Sequence, residues 1–221
     1  MKRALWLSLF AFVVIGCNSG DTAKAPEGGG AAPAKPEAGK KLVVGFSQIG
    51  AESDWRTANT ESIRSEAEKR GVDLKFADAQ QKAENQIKAI KSFIAQGVDV
   101  IAFAPVVETG WEPVLREAKD AGIPVIVSDR RPDVPEDLYV TFIGADFVKE
   151  GEMAAEWLAK KMDGKAKIAE LTGTTGSAPA NDRAKGFRNV LANHPEMEIV
   201  FTQTGDFTRA KGKEVMEALL K

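Results

Sequence analysis

The stretch "DVIAFAPVVETGWEPVLREAKDAGIPVIVSD", Asp99 to Asp129, decides the fold. It opens on an apolar run and continues with Trp111, Val114, Leu115 and Ala118 at helical spacing. It then breaks at Gly122 before Pro124 and closes on a second apolar run. A glycine just past a periodic stretch, followed by proline, is a helix stop, so the segment predicts strand, helix, strand. Both apolar runs are mostly unbroken rather than alternating, the pattern of strands covered by helices on both faces and therefore of a parallel sheet.

The same unit recurs on either side. The runs "LVVGF", "VDLKFAD", "DVIAFAP", "IPVIVSD", "YVTFIGAD", "AKIAELTG" and "MEIVFTQTGD" predict strands. Ile87, Ile90 and Ile94 predict a helix stopping at Gly97, Met153, Trp157 and Leu158 one closing near Gly164, and Phe187, Val190 and Leu191 another. The aromatic residues on these stripes are expected in the core. The last segment, "TRAKGKEVMEALLK", is a helical pattern with no strand after it.

At the other end, Lys2 and Arg3 precede an apolar run, Ala4 to Ile15, too short for a stable bilayer span. It is a predicted secretory signal peptide. It ends on "VIGC", and Cys17 is the one cysteine in the chain, placed where a lipoprotein cysteine is acylated. Residues 1–17 thus read as a lipoprotein signal peptide, and residues 18–40, small, polar and rich in Gly, Ala and Pro, as a disordered tether. Net charge is −2 with both signs interspersed, which leaves no basic stripe for nucleic acid.

Ligands of open parallel sheets bind beyond the carboxyl ends of the strands. The residues there are polar: "SQIGAESDWR", "AQQ", "DRR", "TTGSAPANDR" and "GDFTR" follow successive apolar runs. They offer carboxylates from Glu52 and Asp129, guanidinium groups from Arg56, Arg130 and Arg183, and aromatic faces from Trp55 and Phe207. Ionised carboxylates only accept and guanidinium groups only donate, so the two together match both halves of a hydroxyl. An aromatic face covers the C–H face of a ring. The inventory suits a sugar; each residue alone reads more readily as ordinary surface or, for Phe207, as packing under a loop, and the case rests on their converging at one edge of the sheet.

Enzyme chemistry fits poorly. His194, the one histidine, stands before a proline in "ANHPEM", and no serine, histidine and acid form a persuasive triad. One histidine and one cysteine do not make a metal site. "LTGTTGS" lacks the phosphate-loop lysine and the full dinucleotide fingerprint, and reads as a plain strand-to-helix turn. No cofactor is expected.

The segments "GFSQIGAESDWR", "EAEKRGVDLKFADAQQKAENQIKAIKSFIAQGVD", "APVVETGWEPVLREAKDAGIPVIVSDR", "NDRAKGF" and "GDFTRAKGKEVME" resemble the type I periplasmic sugar-binding proteins of bacterial ABC importers. They are most similar to the galactofuranose-binding branch. The likeness runs from about Leu42 to Lys221. It implies two doubly wound α/β lobes joined by a hinge, residues 41–143 and 144–221, with a monosaccharide held in the cleft. It also implies contacts from Glu52, Ser53, Asp54, Trp55, Arg56, Asp129, Arg130, Arg183 and Phe207, while Arg131 is expected in solvent. The implied setting is a monomeric, lipid-anchored protein of the periplasm and cell envelope that delivers sugar to an ABC permease. A sensory binding protein or the effector domain of a regulator would share the fold. Members of the family are longer by roughly a hundred residues, so the second lobe is expected to be incomplete and loose, and sugar binding by these residues weak.

Overall fold

Strand β1 (Val43–Gln48) is an interior strand of a five-stranded sheet, second from its edge. It pairs in parallel with β2 (Asp73–Asp78) on one side and β3 (Val100–Phe103) on the other. Strands β4 (Val125–Asp129) and β5 (Thr141–Gly144) extend the sheet in parallel, giving the order β2-β1-β3-β4-β5. This computed structural model describes residues 40–221. The predicted signal peptide, Cys17 and nearly all of the tether lie outside the described residues.

Helices α1 (Asp54–Lys69), α2 (Ala83–Ala95) and α3 (Glu112–Asp120) connect β1 to β4. The main core is the one the βαβ unit predicts. Ile90 and Phe93 of α2, Ile101 and Phe103 of β3, Trp111 just before α3, Val114, Leu115 and Ala118 of α3, and Val125 and Val127 of β4 form one buried cluster. Trp111 is fully buried, its ring centroid 5.2 Å from that of Phe103 and its Nε1 donating to the Val107 carbonyl at 2.7 Å. Buried indole N–H groups need such a partner. On the opposite face Phe46 stacks on Phe76, and Arg64 of α1 covers the Phe76 ring. Helix α1 has no apolar stripe, and its one buried residue is Arg56. Periodicity does not reveal such a helix; its start is set by Ser53, whose hydroxyl accepts from the Arg56 amide.

A second parallel sheet, β6 (Lys165–Thr172) with β7 (Glu196–Thr204), follows helix α4 (Phe147–Lys161) and is interleaved with α5 (Ala178–Leu191), with α6 (Arg209–Leu219) after it. Among the described residues this sheet has two strands, and β6 alternates exposed and half-buried positions instead of the fully covered pattern of the first sheet. Helices α4 and α5 press together through glycine. A Cβ on Gly151 would stand 2.1 Å from the Arg183 carbonyl oxygen, and one on Gly186 1.9 Å from that of Val148.

That contact corrects one expectation. Met153 and Trp157 are not core residues; Trp157 is 65% exposed and Met153 is exposed too. The buried stripe of α4 is Phe147, Gly151, Ala155 and Ala159, because small side chains at four-residue spacing are what let the two helices approach. The bulky residues lie further round the helix and face outward. Phe187 is half-buried, lining a groove between α4, α5 and β6.

Candidate functional site

The charged residues at the strand ends converge on one cavity of about 370 Å³ between the lobes. Its wall comes from the loop and helix start after β1 (Glu52, Ser53, Trp55, Arg56) and the end of β4 (Asp129, Arg130). From the other lobe come the start of α4 (Ala145, Phe147, Glu150), the start of α5 (Pro179, Arg183) and the loop after β7 (Phe207). Eight of the nine sugar contacts expected from the sequence therefore share one wall.

Asp54 is the exception and is corrected here. As the first residue of α1 it turns out of the cavity, 85% exposed, and pairs across the cleft with Arg209 at 3.0 Å. Arg131 is half-exposed, ion-paired with Glu136 at 3.4 Å and stacked on Phe142, in solvent as expected.

Arg56 organises the floor. It is 2% exposed; its Nε donates to Glu52 Oε1 at 3.2 Å and its Nη2 to Asp129 Oδ2 at 2.7 Å. The Glu52 side chain is likewise 3% exposed. The capped start of α1 places Glu52 and Arg56 one turn apart, and the end of β4 brings Asp129 to them. Asp129 holds φ +65°, a left-handed conformation that disfavours residues with a Cβ. Backbone of this kind persists where its surroundings over-determine it, commonly at binding sites. The loop after β7 repeats the feature, with Asp206 at +50° and Phe207 at +57°. The Phe207 ring lies against Gly173, where a Cβ would stand 1.9 Å from it, so glycine there seats the ring.

Arg130 lies beside Arg56. Its Nη1 donates to the Val106 carbonyl at 3.2 Å, while its Nη2 and Nε stand 3.9 Å from Glu52 and 3.7 Å from Asp129, beyond hydrogen-bond reach. The guanidinium lies 5.3 Å from the Phe207 ring centroid, a contact from one lobe to the other. Burial, and then the Arg56 charge, lower the Arg130 guanidinium to about 10, with Asp129 and Glu52 opposing the shift. In the second lobe Arg183 donates to Glu150 at 2.8 Å and covers Phe147. Phe147 and Glu150 are residues the sequence reading passed over. The signal was present, since they follow the apolar run "YVTFIGAD" just as the other site residues follow theirs.

Three buried polar atoms on this wall have no hydrogen-bond partner in the protein: Glu52 Oε2, Arg56 Nη1 and Arg130 Nε. They are one acceptor and two donors, all on charged groups. The lining carries three arginines (Arg56, Arg130, Arg183) and three carboxylates (Glu52, Asp129, Glu150), so its formal charge is zero. Such a site suits a neutral, hydroxyl-rich molecule; a phosphate or carboxylate would meet three carboxylates along with the three arginines. Among the described residues no group of three or more His, Cys, Asp or Glu side chains could hold a metal ion.

The lobes also meet around the rim. The Glu108 amide donates to the Gly176 carbonyl at 2.9 Å, and the Asn181 side chain donates to the Glu108 carboxylate.

Residues 44–221 match the periplasmic binding protein domain family. The chain is 57% identical to the galactofuranose-binding protein YtfQ of Escherichia coli (strain K12) over 182 residues, covering 81% of this chain and 57% of that protein. It superposes with a TM-score of 0.78 and 60% identity on the periplasmic binding protein component of the arabinose ABC transporter of Shewanella sp. ANA-3, bound to α- and β-L-arabinofuranose. That match covers 81% of this chain and 60% of the other. A Mycobacterium smegmatis protein in complex with β-D-fucofuranose matches with a TM-score of 0.78 and 58% identity, over 81% of this chain and 60% of its own. The chain thus spans less than two thirds of the length of these relatives.

Proposed function

The chain belongs to the periplasmic binding protein family, and from that premise we propose that it is the sugar-capturing component of a bacterial ABC importer, holding a furanose monosaccharide in the cleft between its two lobes. The carrying observation is the set of three buried, charged, unpartnered atoms, Glu52 Oε2, Arg56 Nη1 and Arg130 Nε, on a wall of zero formal charge. A buried polar group left without a partner costs about 1–3 kcal/mol, more when charged, and sugar hydroxyls supply what each atom lacks. Ser53, Trp55, Asp129, Arg183 and Phe207 complete the pocket, Trp55 and Phe207 as candidate faces for the sugar ring.

The five-membered ring is favoured by the named ligands of three relatives: galactofuranose, arabinofuranose and fucofuranose. Binding rather than turnover is the proposed role. The Ser53 hydroxyl is engaged in capping α1, and Arg56 holds both Glu52 and Asp129. In the same reading, residues 41–143 and 144–221 are the two lobes, and Cys17 anchors the protein by lipid to the cell envelope, where it delivers sugar to a permease.

The test is calorimetric titration with L-arabinose and D-galactose, which interconvert between ring forms in water, and with their methyl pyranosides, which are locked. The free sugars should bind with a Kd of about 1 µM or tighter, and the pyranosides at least about a hundredfold more weakly. No heat with either free sugar, or equal affinity for the locked pyranosides, would refute the furanose reading.

A further inference from the structure

Arg130 is held by less than its burial suggests. The one hydrogen bond of its guanidinium to the protein goes to the Val106 carbonyl, its Nε has none, and neither nearby carboxylate is within bonding distance. Where Val106 stands therefore determines where Arg130 points. Val106 lies in the loop leaving β3, after Pro105, which has no N–H with which to tie the loop down. The tie comes instead from Gln86, a fully buried side chain on α2. Its Oε1 accepts from the Val106 amide at 2.9 Å, and its Nε2 donates to the carbonyls of Ala104 at 2.8 Å and Ser47 at 3.3 Å.

One amide group thus joins the ends of β1 and β3, the strand ends that lead to Glu52 and to Val106. Two carbonyl acceptors and one N–H donor surround it, so one orientation of the amide satisfies all three. Helix α2 is itself fixed to the core through Ile90 and Phe93.

We propose that Gln86 is a positioning residue of the binding site: without touching the ligand, it sets the Val106 carbonyl that aims the Arg130 guanidinium into the cavity. An apolar side chain of similar length fills the same space but releases the Val106 amide, and the Arg130 guanidinium then loses its one hydrogen-bonded anchor. Only the affinity part of the test depends on the sugar-binding reading.

The experiment compares the native protein with Gln86→Leu and Gln86→Met. The Nε–H signals of Arg130 and Arg56 are followed by 15N NMR in sugar-free protein, with Arg130→Met identifying the first, and L-arabinose affinity is measured in parallel. Both variants should move or broaden the Arg130 signal while the Arg56 signal stays in place, and affinity should fall about tenfold or more. An unmoved Arg130 signal overturns the proposal. So does a change of both signals together with early melting, or a fold that neither leucine nor methionine supports, since Gln86 would then be structural only. If the native protein binds no arabinose but the Arg130 signal still responds selectively, the sugar reading fails and the positioning role stands.

Discussion

Arg56→Ala unfolds well before the native protein, with a loss of about 3–5 kcal/mol in a urea titration. The side chains of Glu52 and Arg56 are 3% and 2% exposed, and that of Asp129 is largely buried, so three charges have left water together. Only Arg56 is within hydrogen-bond distance of both carboxylates, at 3.2 and 2.7 Å; the other cation, Arg130, stands at 3.9 and 3.7 Å. Truncation leaves two buried carboxylates in a site built around their partner, the circumstance in which breaking an ion pair costs most. Sugar affinity should disappear with it. Arg56→Lys should recover only part of the loss, because an ammonium is a point charge and cannot reach two acceptors with a planar fork. A loss below about 1 kcal/mol for Arg56→Ala would mean that water replaces the guanidinium freely and that the floor of the site is not organised by Arg56.

Arg130→Met behaves in the opposite way: it weakens binding and leaves stability unharmed. In the folded protein burial and the Arg56 charge depress the Arg130 guanidinium to about 10, below its ordinary value. The unfolded chain therefore holds this proton more tightly than the folded one, and the charge opposes folding at every pH below about 10. The cost is relieved only as pH rises from there towards the ordinary arginine range. A neutral side chain of similar length removes the cost, offset in part by the lost bond to Val106. The variant should melt no earlier than the native protein at neutral pH. Its sugar affinity should fall between tenfold and over a hundredfold, the effect of about 1.5–3 kcal/mol for a charged hydrogen-bond partner removed from a buried hydroxyl. Early melting with unchanged affinity would make Arg130 a structural arginine and exclude it from the site.

This contrast was not legible in the sequence, where Arg56 and Arg130 are alike: each is an arginine in a polar stretch that follows an apolar run, with an acid within two residues. What separates them is the geometry of their partners. The first lobe was legible because "DVIAFAPVVETGWEPVLREAKDAGIPVIVSD" obeys the local rules throughout, with unbroken strand runs, one apolar helix face and glycine stops; Trp111 lies where its spacing places it. Helix α1 was not, because its buried position is an arginine, which no hydrophobic period marks. Met153 and Trp157 misled for the converse reason: large apolar residues at helical spacing look like a core stripe, yet α4 packs through Gly151, Ala155 and Ala159.

The site itself was legible from one rule, that ligands gather at the carboxyl ends of parallel strands. Asp54 satisfied the rule in sequence but turns away at the first residue of its helix. The expectation of weak or no binding rested on a second lobe short of strands and of the further ligand residues that longer family members carry. That lobe's contribution to the cavity comes from the starts of α4 and α5 and the loop after β7, not from its sheet. Phe147, Glu150, Pro179, Arg183 and Phe207 are all in place around the cavity, which is why the titration is expected to show tight binding.

The most direct measurement is a crystal structure of the protein with L-arabinose. The account predicts a furanose ring in the interlobe cavity, with sugar oxygens within about 3.2 Å of Glu52 Oε2, Arg56 Nη1 and Arg130 Nε, so that each of the three gains the partner the protein does not supply. A sugar bound elsewhere, or bound in this cavity with those three atoms still unpartnered, would contradict it.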